Sequence, residues 1–395
     1  MTEKKNRKHG KTLKRILKGI LLAVCGFIGA ALLTVCIFWG NEILTFLSIR
    51  QIAESDGKTG YGTYEIHVSG DYYFDEFLEQ GGASTVQETK DFLTDHLTKG
   101  LLEMVLIEPD AGCSAFAAPL ENGDRIVARN YDMRPTKTAV VYTKSGKGKH
   151  ASIANADLSF VGISSYSEKL SVEDRLLCLA APYMIVDGMN DAGVSISILV
   201  SGQRRSTNQC TDKPDLLCTV MMRLVLDYAD DVEEAIELIR QYDIHDANLN
   251  TFHYLVADAE GRSAVIEFID PSGKSETDRT PDTRELQVIR QNDTGTQAVS
   301  NYILLPDYYS ENEKRHGVEN VAIMEETLAA GDHAVTDEQA AMDIMESVSK
   351  KGMGVSGISG VTVHSVIYNL TEKTALWIGS EHYGEKAYTR TFQLK

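Results

Sequence analysis

The chain has 395 residues, of which 43% are hydrophobic and 24% charged, so it is a globular protein long enough for one large domain or two ordinary ones. Its net charge is −18, but eight lysines or arginines against one glutamate give residues 1–40 a charge of +7, which leaves −25 for the remainder. So acidic a body argues against nucleic-acid binding. Six cysteines are too few for a disulfide framework, although Cys210 and Cys218 could pair outside the cytoplasm.

An apolar run follows the basic N-terminal segment. Residues 20–39 include no charged side chain and would form a helix about as long as a bilayer is thick. Because the basic flank stays on the cytoplasmic side, we expect a cytoplasmic segment (1–19), a single-pass signal anchor (20–40) in the cell membrane and an extracytoplasmic body. A cleavable signal peptide is the alternative, disfavoured because Phe38 and Trp39 replace the small residues of a cleavage site.

The body begins with a segment that we expect to act as linker and pro-region, residues 41–112. Within it, 61–74 alternates like a strand, and 84–102 opens with a capping sequence typical of a helix. The segment is not of low complexity. We therefore expect it to pack on the rest of the body.

Residues 112–133 are predicted to form a β-hairpin. Two apolar runs flank the turn Glu121-Asn122-Gly123-Asp124, and an Asn-Gly pair favours a tight hairpin turn. Cys113 begins one strand, while Arg129 and Asp132 lie near the end of the other, so the three side chains could meet at one end of the hairpin. A cation beside a thiol favours the nucleophilic thiolate. Taken alone, the hairpin also fits a buried cysteine and a surface ion pair.

The remaining sequence predicts hairpins and separate helix pairs, an α+β arrangement. The predicted strands are 139–143, 159–164, 194–200, 251–257, 263–268, 299–302, 361–368 and 375–378, and the predicted helices are 216–228, 232–240, 320–330 and 338–349.

Several common kinds of site have no sequence support. There is no G-x-S-x-G elbow, no nucleotide-binding glycine motif, and no H-E-x-x-H or other close histidine pair, so neither a metal site nor an organic cofactor is expected. A Cys–His pair would require His253 or His364 near Cys113. For both histidines a core position is the competing interpretation.

Four motifs, in order, resemble the choloylglycine hydrolase family of N-terminal nucleophile hydrolases, which includes conjugated bile acid hydrolases, penicillin V acylases and, more distantly, acid ceramidase and isopenicillin N acyltransferase. They are Cys113 followed by Arg129-Asn130-Tyr131-Asp132, then Asp187-Gly188-Met189-Asn190-Asp191-Ala192-Gly193, the strand pair 252–268, and Val299-Ser300-Asn301. The resemblance covers residues 113–395 and implies a four-layer αββα sandwich. It also implies cleavage between Gly112 and Cys113.

The family's mechanism gives each matched residue a role. Cleavage would give Cys113 a free α-amino group with a pKa of about 8, low enough to accept the thiol proton near neutral pH. Arg129 would favour the thiolate, Asp132 would hold the α-ammonium group, and Asn301 would stabilise the oxyanion of the tetrahedral intermediate.

Two positions depart from the family pattern. Val200 stands where many bile acid hydrolases have a second oxyanion asparagine, which leaves Asn190 and Ser197 as weak candidates for oxyanion or substrate contacts. The family's late arginine has no secure match, since Arg315 is out of phase. Both departures argue against assuming bile-salt specificity.

The sequence therefore predicts a membrane-anchored cysteine amidohydrolase that cleaves linear amide C–N bonds of small molecules, such as N-acyl amides, conjugated bile acids or penicillin V-like compounds. An acyltransferase with the same site and a non-catalytic, surface-anchored binding module are the alternatives. An intact Gly112–Cys113 bond in the mature protein would favour the binding module.

Overall fold

The computed structural model describes residues 2–57, 60–107, 112–163, 169–202, 206–246, 251–269, 282, 284–310, 313–352 and 360–394. The helices are α1 (Thr2–Ser48), α2 (Phe74–Glu79), α3 (Val86–Leu97), α4 (Val172–Leu177), α5 (Cys218–Tyr228), α6 (Val232–Ile239), α7 (Val318–Ala330) and α8 (Glu338–Ser347). Two 3₁₀ helices span Leu158–Val161 and Cys178–Tyr183.

The first ten strands are β1 (Arg50–Ala53), β2 (Thr63–His67), β3 (Gly112–Pro119), β4 (Arg125–Met133), β5 (Thr138–Thr143), β6 (Ser152–Asp157), β7 (Ile185–Asn190), β8 (Ser195–Val200), β9 (Asp215–Leu217) and β10 (Asp243–His245). The others are β11 (Phe252–Ala257), β12 (Ser263–Ile269), β13 (Glu285–Arg290), β14 (Gln297–Val299), β15 (Val361–Asn369), β16 (Thr374–Gly379) and β17 (Thr389–Gln393).

Two large sheets form the centre of the molecule. A nine-stranded sheet has the order β1-β2-β5-β6-β7-β8-β11-β12-β13, and a six-stranded sheet has the order β14-β3-β4-β15-β16-β17. Their neighbouring strands are antiparallel except for β2 and β5, which are parallel. Helices α5 and α6 pack on the nine-stranded sheet, and α7 and α8 pack on the six-stranded one. This is the four-layer αββα sandwich predicted from the sequence.

Strand β3 contributes side chains to both apolar cores of the sandwich. Its side chains alternate between two apolar cores because successive residues of a strand point to opposite faces. Cys113, Ala115 and Ala117 belong to the core between the sheets. Phe116 and Ala118 belong to the core beneath α7 and α8. The thiol of Cys113 is thus placed inside the sandwich.

The upstream segment, residues 41–112, is built into the body. Its strand β2 pairs with β5 over five residues, and its aromatic and aliphatic side chains are buried in the main core. Helix α3 begins with a complete capping box, in which Thr85 accepts from the Glu88 amide and Glu88 accepts from the Thr85 amide. The expectation that this segment packs on the body is met.

A largely buried group of charged and aromatic side chains, in which Asp75 is partly exposed, joins the upstream segment to the rest of the chain. We call it the Lys149 cluster, and it consists of Tyr72, Asp75, Lys149, Arg223 and Asp227. The Lys149 Nζ lies 2.8 Å from Asp75 Oδ1 and 3.6 Å from Asp227 Oδ2, and Arg223 Nη2 lies 2.7 Å from Asp227 Oδ1. The Tyr72 hydroxyl also donates to Asp227, at 2.7 Å. Because Tyr72 and Asp75 precede the proposed cleavage site, the cluster bridges its two sides.

Helix α1 contains a stretch, Arg15–Ser48, that is long and apolar enough to cross a membrane, and the most apolar part of it is not buried. The helical backbone breaks at Trp39 (φ −131°, ψ 20°). Beyond that kink the last turns of α1 lie against the body. There the Ser69 amide donates to the Thr45 hydroxyl, at 2.9 Å.

Three local predictions were wrong. The strand predicted over 159–164 is a 3₁₀ helix, Leu158–Val161, because the Asp157 side chain accepts from the Ser159 amide and caps it; Ser164 lies outside the described residues. The strand predicted over 61–74 ends at His67. The strand predicted over 299–302 is β14, Gln297–Val299, so residues 300–302 lie beyond its end.

Strands β6 and β7 and the short helices α2 and α4 were missed, whereas the hairpin 112–133 and the four helices predicted after it were interpreted correctly. Cys210 and Cys218 are both free thiols, so the disulfide considered for them does not form here.

Candidate active site

The hairpin register brings the predicted residues together at one end of the six-stranded sheet. Gly112 pairs with Asp132 and Cys113 pairs with Tyr131, while Arg129 is two residues further along β4. Arg129 Nη2 donates to the Cys113 sulfur at 3.1 Å, and both residues are fully buried. The short turn that sets this register depends on Gly123, whose φ of 94° is unfavourable for other residues.

Arg129 is held in place from the facing sheet. Its Nε lies 3.0 Å from Asp187 Oδ2, and His364 Nε2 lies 2.9 Å from the same oxygen. We call Cys113, Arg129, Asp187 and His364 the Cys113 network. Tyr368 donates to the other oxygen of Asp187, at 2.6 Å. The network spans the two sheets, so the orientation of the guanidinium group depends on their packing.

The pKa values of Asp187 and Cys113 shift in opposite directions, although burial by itself raises both. Burial alone would raise the pKa of Asp187, but the attraction and hydrogen bond of His364, with the charge of Arg129, outweigh it and hold that pKa at about 2. For Cys113, burial outweighs the attraction of Arg129 and raises the pKa of the thiol to about 11. In the uncleaved chain the thiol is therefore protonated at neutral pH, and Arg129 alone does not make the thiolate.

Asp132 lies beside the bond to be cut. The Thr362 hydroxyl donates to its Oδ1 at 2.7 Å, and Lys350 Nζ lies 3.6 Å from its Oδ2. Burial raises the pKa of Asp132, and the charge of Lys350 and the hydrogen bond from Thr362 oppose that shift. Lys350 itself has a side chain that is 46% exposed, so it marks the solvent-facing side of the site.

Asn301 contacts the backbone nitrogen of the cysteine. The Cys113 N–H donates to Asn301 Oδ1 at 3.1 Å, and Asn301 Nδ2 donates to the Val200 carbonyl at 3.0 Å. The neighbouring Ser300 hydroxyl donates to the Cys113 carbonyl at 2.9 Å. The amide group of Asn301 that an oxyanion would need is therefore already engaged in the uncleaved chain.

Asn190, one of the two weak candidates, lies away from the site. The Asn190 side chain accepts from the Val194 amide and donates to the Ala229 carbonyl, so it stabilises the β7–β8 turn at the other end of the sheet. Its predicted oxyanion or substrate role has no geometric support.

Ser197 pairs with Asp187 across β7 and β8 and so shares its face of the sheet. Its hydroxyl is buried without a hydrogen-bond partner. Of the weak candidates, Ser197 is the one on the face of the Cys113 network.

The other cations and histidines considered from sequence have different partners. Arg315 lies over the Tyr309 ring, 5.0 Å from its centre. His253 contacts Glu267 and the Ser300 carbonyl, and His364 contacts Asp187, so neither forms a Cys–His pair with Cys113.

Sequence reasoning missed two residues of this site. Asp187 was noted within its motif, but no role followed from the motif alone. Lys350 lies just after α8, and no sequence pattern around it indicates a functional role. In the part of the chain that the structure describes, no group of three or more His, Cys, Asp or Glu residues could hold a metal ion.

Residues 120–303 match the family model of acyl-coenzyme A:6-aminopenicillanic acid acyl-transferase, slightly less than half of the chain. The matched segment includes Arg129, Asp132, Asp187 and Asn301. The resemblance to the N-terminal nucleophile hydrolases is confirmed. A fold of the amidohydrolase or acyltransferase type is therefore supported.

Three solved structures are similar at low identity. A mutant of conjugated bile acid hydrolase from Clostridium perfringens is 14% identical, with 71% of this chain and 92% of that chain covered and a TM-score of 0.48. Penicillin V acylase from Agrobacterium tumefaciens is 17% identical (68% and 83% covered, TM-score 0.41). The Caenorhabditis elegans N-acylethanolamine-hydrolyzing acid amidase ortholog is 14% identical (72% and 100% covered, TM-score 0.40). No curated protein sequence matches the chain.

Proposed function

We propose that the protein is a membrane-anchored cysteine amidohydrolase that cleaves linear amide bonds after cutting its own chain between Gly112 and Cys113. One observation carries the proposal. A buried guanidinium group bonds the Cys113 sulfur, while Asn301 bonds the nitrogen of the same residue. Both the nucleophile and the atom that would become its base are thus held by fixed partners.

The first reaction would be self-cleavage. The Cys113 sulfur attacks the Gly112 carbonyl and its thiol proton passes to the departing Cys113 nitrogen, so that a thioester replaces the peptide bond. Water then attacks the thioester, releasing the Gly112 carboxylate and the free thiol. The product has an α-amino group with a pKa of about 8, which can take the thiol proton near neutral pH. A neighbouring base is needed because, in the uncleaved chain, burial raises the pKa of the thiol to about 11.

Turnover would then repeat the same chemistry on a substrate. The thiolate attacks the amide carbonyl, the α-ammonium group of Cys113 returns its proton to the leaving amine, and water hydrolyses the thioester to a carboxylic acid. Asp132, opposite Gly112 in the hairpin, would stabilise the α-ammonium group. Arg129 would stabilise the thiolate.

The geometry favours a different role for Asn301 from the one expected. Its Oδ1 already accepts from the Cys113 nitrogen, so we assign it to orient the α-amino group after cleavage. Stabilising an oxyanion would require its Nδ2 to leave the Val200 carbonyl.

An acyltransferase is the second candidate, because the matching family model describes one. The acyl-enzyme would be the same, but an amine instead of water would accept the acyl group. The two activities differ only in which nucleophile reaches the thioester.

The proposal also includes the anchor. The apolar stretch of α1 and its basic flank support a single-pass protein whose catalytic body lies outside the cytoplasm at the cell membrane. Protease added to intact cells should digest the body.

N-terminal sequencing together with a substrate panel tests the function. Conjugated bile acids, penicillin V, N-acyl amino acids and N-acyl homoserine lactones should leave an acyl adduct on Cys113 when the reaction is quenched. Cys113→Ala should abolish both cleavage and turnover, whereas Cys178→Ala, which removes another buried free thiol, should retain both.

An active preparation that holds only uncleaved chain would refute the mechanism. Turnover that requires an added amine would instead select the acyltransferase. Correctly cleaved protein without either activity would favour a binding module.

A further inference from the structure

The β sandwich has two ends, and the parallel pair β2 and β5 defines them. Both strands start at one end, where Thr63 pairs with Thr138, and both finish at the other, where His67 pairs with Tyr142. Because the two strands run in the same direction, they define a starting end and a finishing end of the sandwich. A residue that contacts either strand near one of these ends can be placed at that end.

Cys113 lies at the end where β2 and β5 start. Its register partner is Tyr131, whose hydroxyl donates to Asp157 Oδ2 at 2.9 Å. Asp157 is the last residue of β6 and pairs with Thr138, the first residue of β5. Lys350, the half-exposed cation beside Asp132, lies at the same end, because Thr362 pairs with Asp132 where β4 finishes.

Helix α1 joins the body at the other end. The Ser48 hydroxyl donates to the His67 carbonyl, at 3.0 Å, where β2 finishes. Further towards the N-terminus of the helix, the Thr45 hydroxyl accepts from the Ser69 amide, and the Ser69 hydroxyl lies 3.4 Å from Asn41 Oδ1. Moving from Ser48 towards Asn41 therefore leads beyond the end of β2. The helix departs from the body on the side away from Cys113.

From these placements we infer that the anchor holds the solvent-facing end of the site, marked by Lys350, away from the membrane and that the substrate is a water-borne amide, not one embedded in the bilayer. The inference rests on the proposed hydrolase function and on α1 crossing a membrane. The five residue steps of β5 alone separate the two ends by about 16 Å, at ~3.3 Å per residue. An amide fixed in the bilayer would have to leave it to reach the end of the sandwich at which Lys350 lies.

Cleavage would not release the body from this arrangement. Strand β2 stays paired with β5, and the Lys149 cluster bridges the two sides of the cut bond. The orientation therefore applies to the uncleaved and the cleaved protein alike.

Full-length protein in liposomes, compared with the same protein in detergent micelles, tests the inference. The two probes are a short-chain acyl p-nitroanilide in solution and the same anilide linked through its acyl chain to a phospholipid. We expect the rate for the lipid-linked probe, relative to the soluble one, to fall roughly tenfold or more from micelles to liposomes, because each methylene drawn from a bilayer costs free energy. An unchanged ratio would overturn the inference.

A second measurement keeps the orientation testable if neither probe is cleaved in micelles, an outcome that counts against the proposed hydrolase alone. Fluorophores are attached to Lys144→Cys, just after β5, or to Arg134→Cys, just after β4, in protein whose exposed cysteines are replaced (Cys25, Cys36 and Cys210). Energy transfer to a headgroup acceptor should be stronger from position 144 than from position 134. Equal transfer, or the reverse order, would refute the orientation.

Discussion

The Cys113 network is buried and the Lys149 cluster largely so, and the two lie at opposite ends of the sandwich. Both contain cations and carboxylates, but they differ in which groups the cations contact. In the Cys113 network, Arg129 contacts Asp187 on one side and a thiol on the other. In the Lys149 cluster, Lys149 lies between two carboxylates, Asp75 and Asp227, and no nucleophile is present. The first arrangement directs charge at a reactive atom, whereas the second joins two segments of chain.

The comparison predicts that substitutions in the Lys149 cluster reduce stability, whereas substitutions in the Cys113 network reduce the reaction rate. Removing one partner of a buried ion pair leaves the other charged and desolvated, which destabilises the fold. Changing the geometry of a charge that faces a nucleophile, without removing the charge, should affect the rate first.

The largest effect should come from Lys149→Met. It removes the cation shared by Asp75 and Asp227. Because Asp227 keeps Arg223 and the Asp75 side chain is 33% exposed, the free energy of unfolding should fall by about 3 kcal/mol, the lower end for a broken buried ion pair. Denaturant unfolding measures this, and size exclusion of the cleaved protein should reveal loss of the upstream segment.

The matched control for that substitution is Lys147→Met. It removes the exposed ion pair with Asp71 two residues away and should leave the unfolding midpoint unchanged. If both variants behave alike, the Lys149 cluster does not join the segments.

Arg129→Lys should reduce kcat by about 100-fold, or ~2.7 kcal/mol, because lysine retains the charge but cannot contact Asp187 and the sulfur with a planar fork. Steady-state kinetics on a substrate from the panel measures it, with circular dichroism to verify the fold. Arg134→Lys, at an exposed position just beyond β4, is the control. A rate close to that of the parent would show that charge alone is required.

Asn301→Ala should have the smallest effect, about tenfold in kcat, since it removes one hydrogen-bond acceptor of about 1–1.5 kcal/mol from the α-amino group. KM should change little. The pH at which kcat is half-maximal should also move, because that group is the proposed base. A slower acylation step with an unmoved pH profile would restore the oxyanion role for Asn301.

The sequence could predict those features that residues close together in the chain determine. The turn at Asn122-Gly123 and the alternation on either side specify the hairpin, and the hairpin register brings Cys113 to Arg129. The capping residues of α3 were likewise visible, because a cap and its helix are neighbours in the chain.

Contacts between distant segments were not predictable in the same way. Asp187 reaches Arg129 only when the two sheets pack, and Lys350 reaches Asp132 only through the pairing of β15 with β4. For a related reason, the motif around Asn190 did not reveal that its side chain bonds the Val194 amide and the Ala229 carbonyl at the β7–β8 turn. The thiol pKa also depends on burial, which spacing along the chain does not measure.

The parallel pairing of β2 with β5 has a consequence for how the molecule comes to be folded. While residues 41–112 and the rest of the body are one chain, the two strands find each other at the high effective concentration that a covalent connection provides. Cutting at Gly112–Cys113 would remove that connection after the strand is in place. The cleaved enzyme would then be held by its unfolding barrier, and heat inactivation would be irreversible, because the separated pieces would have to meet again by diffusion.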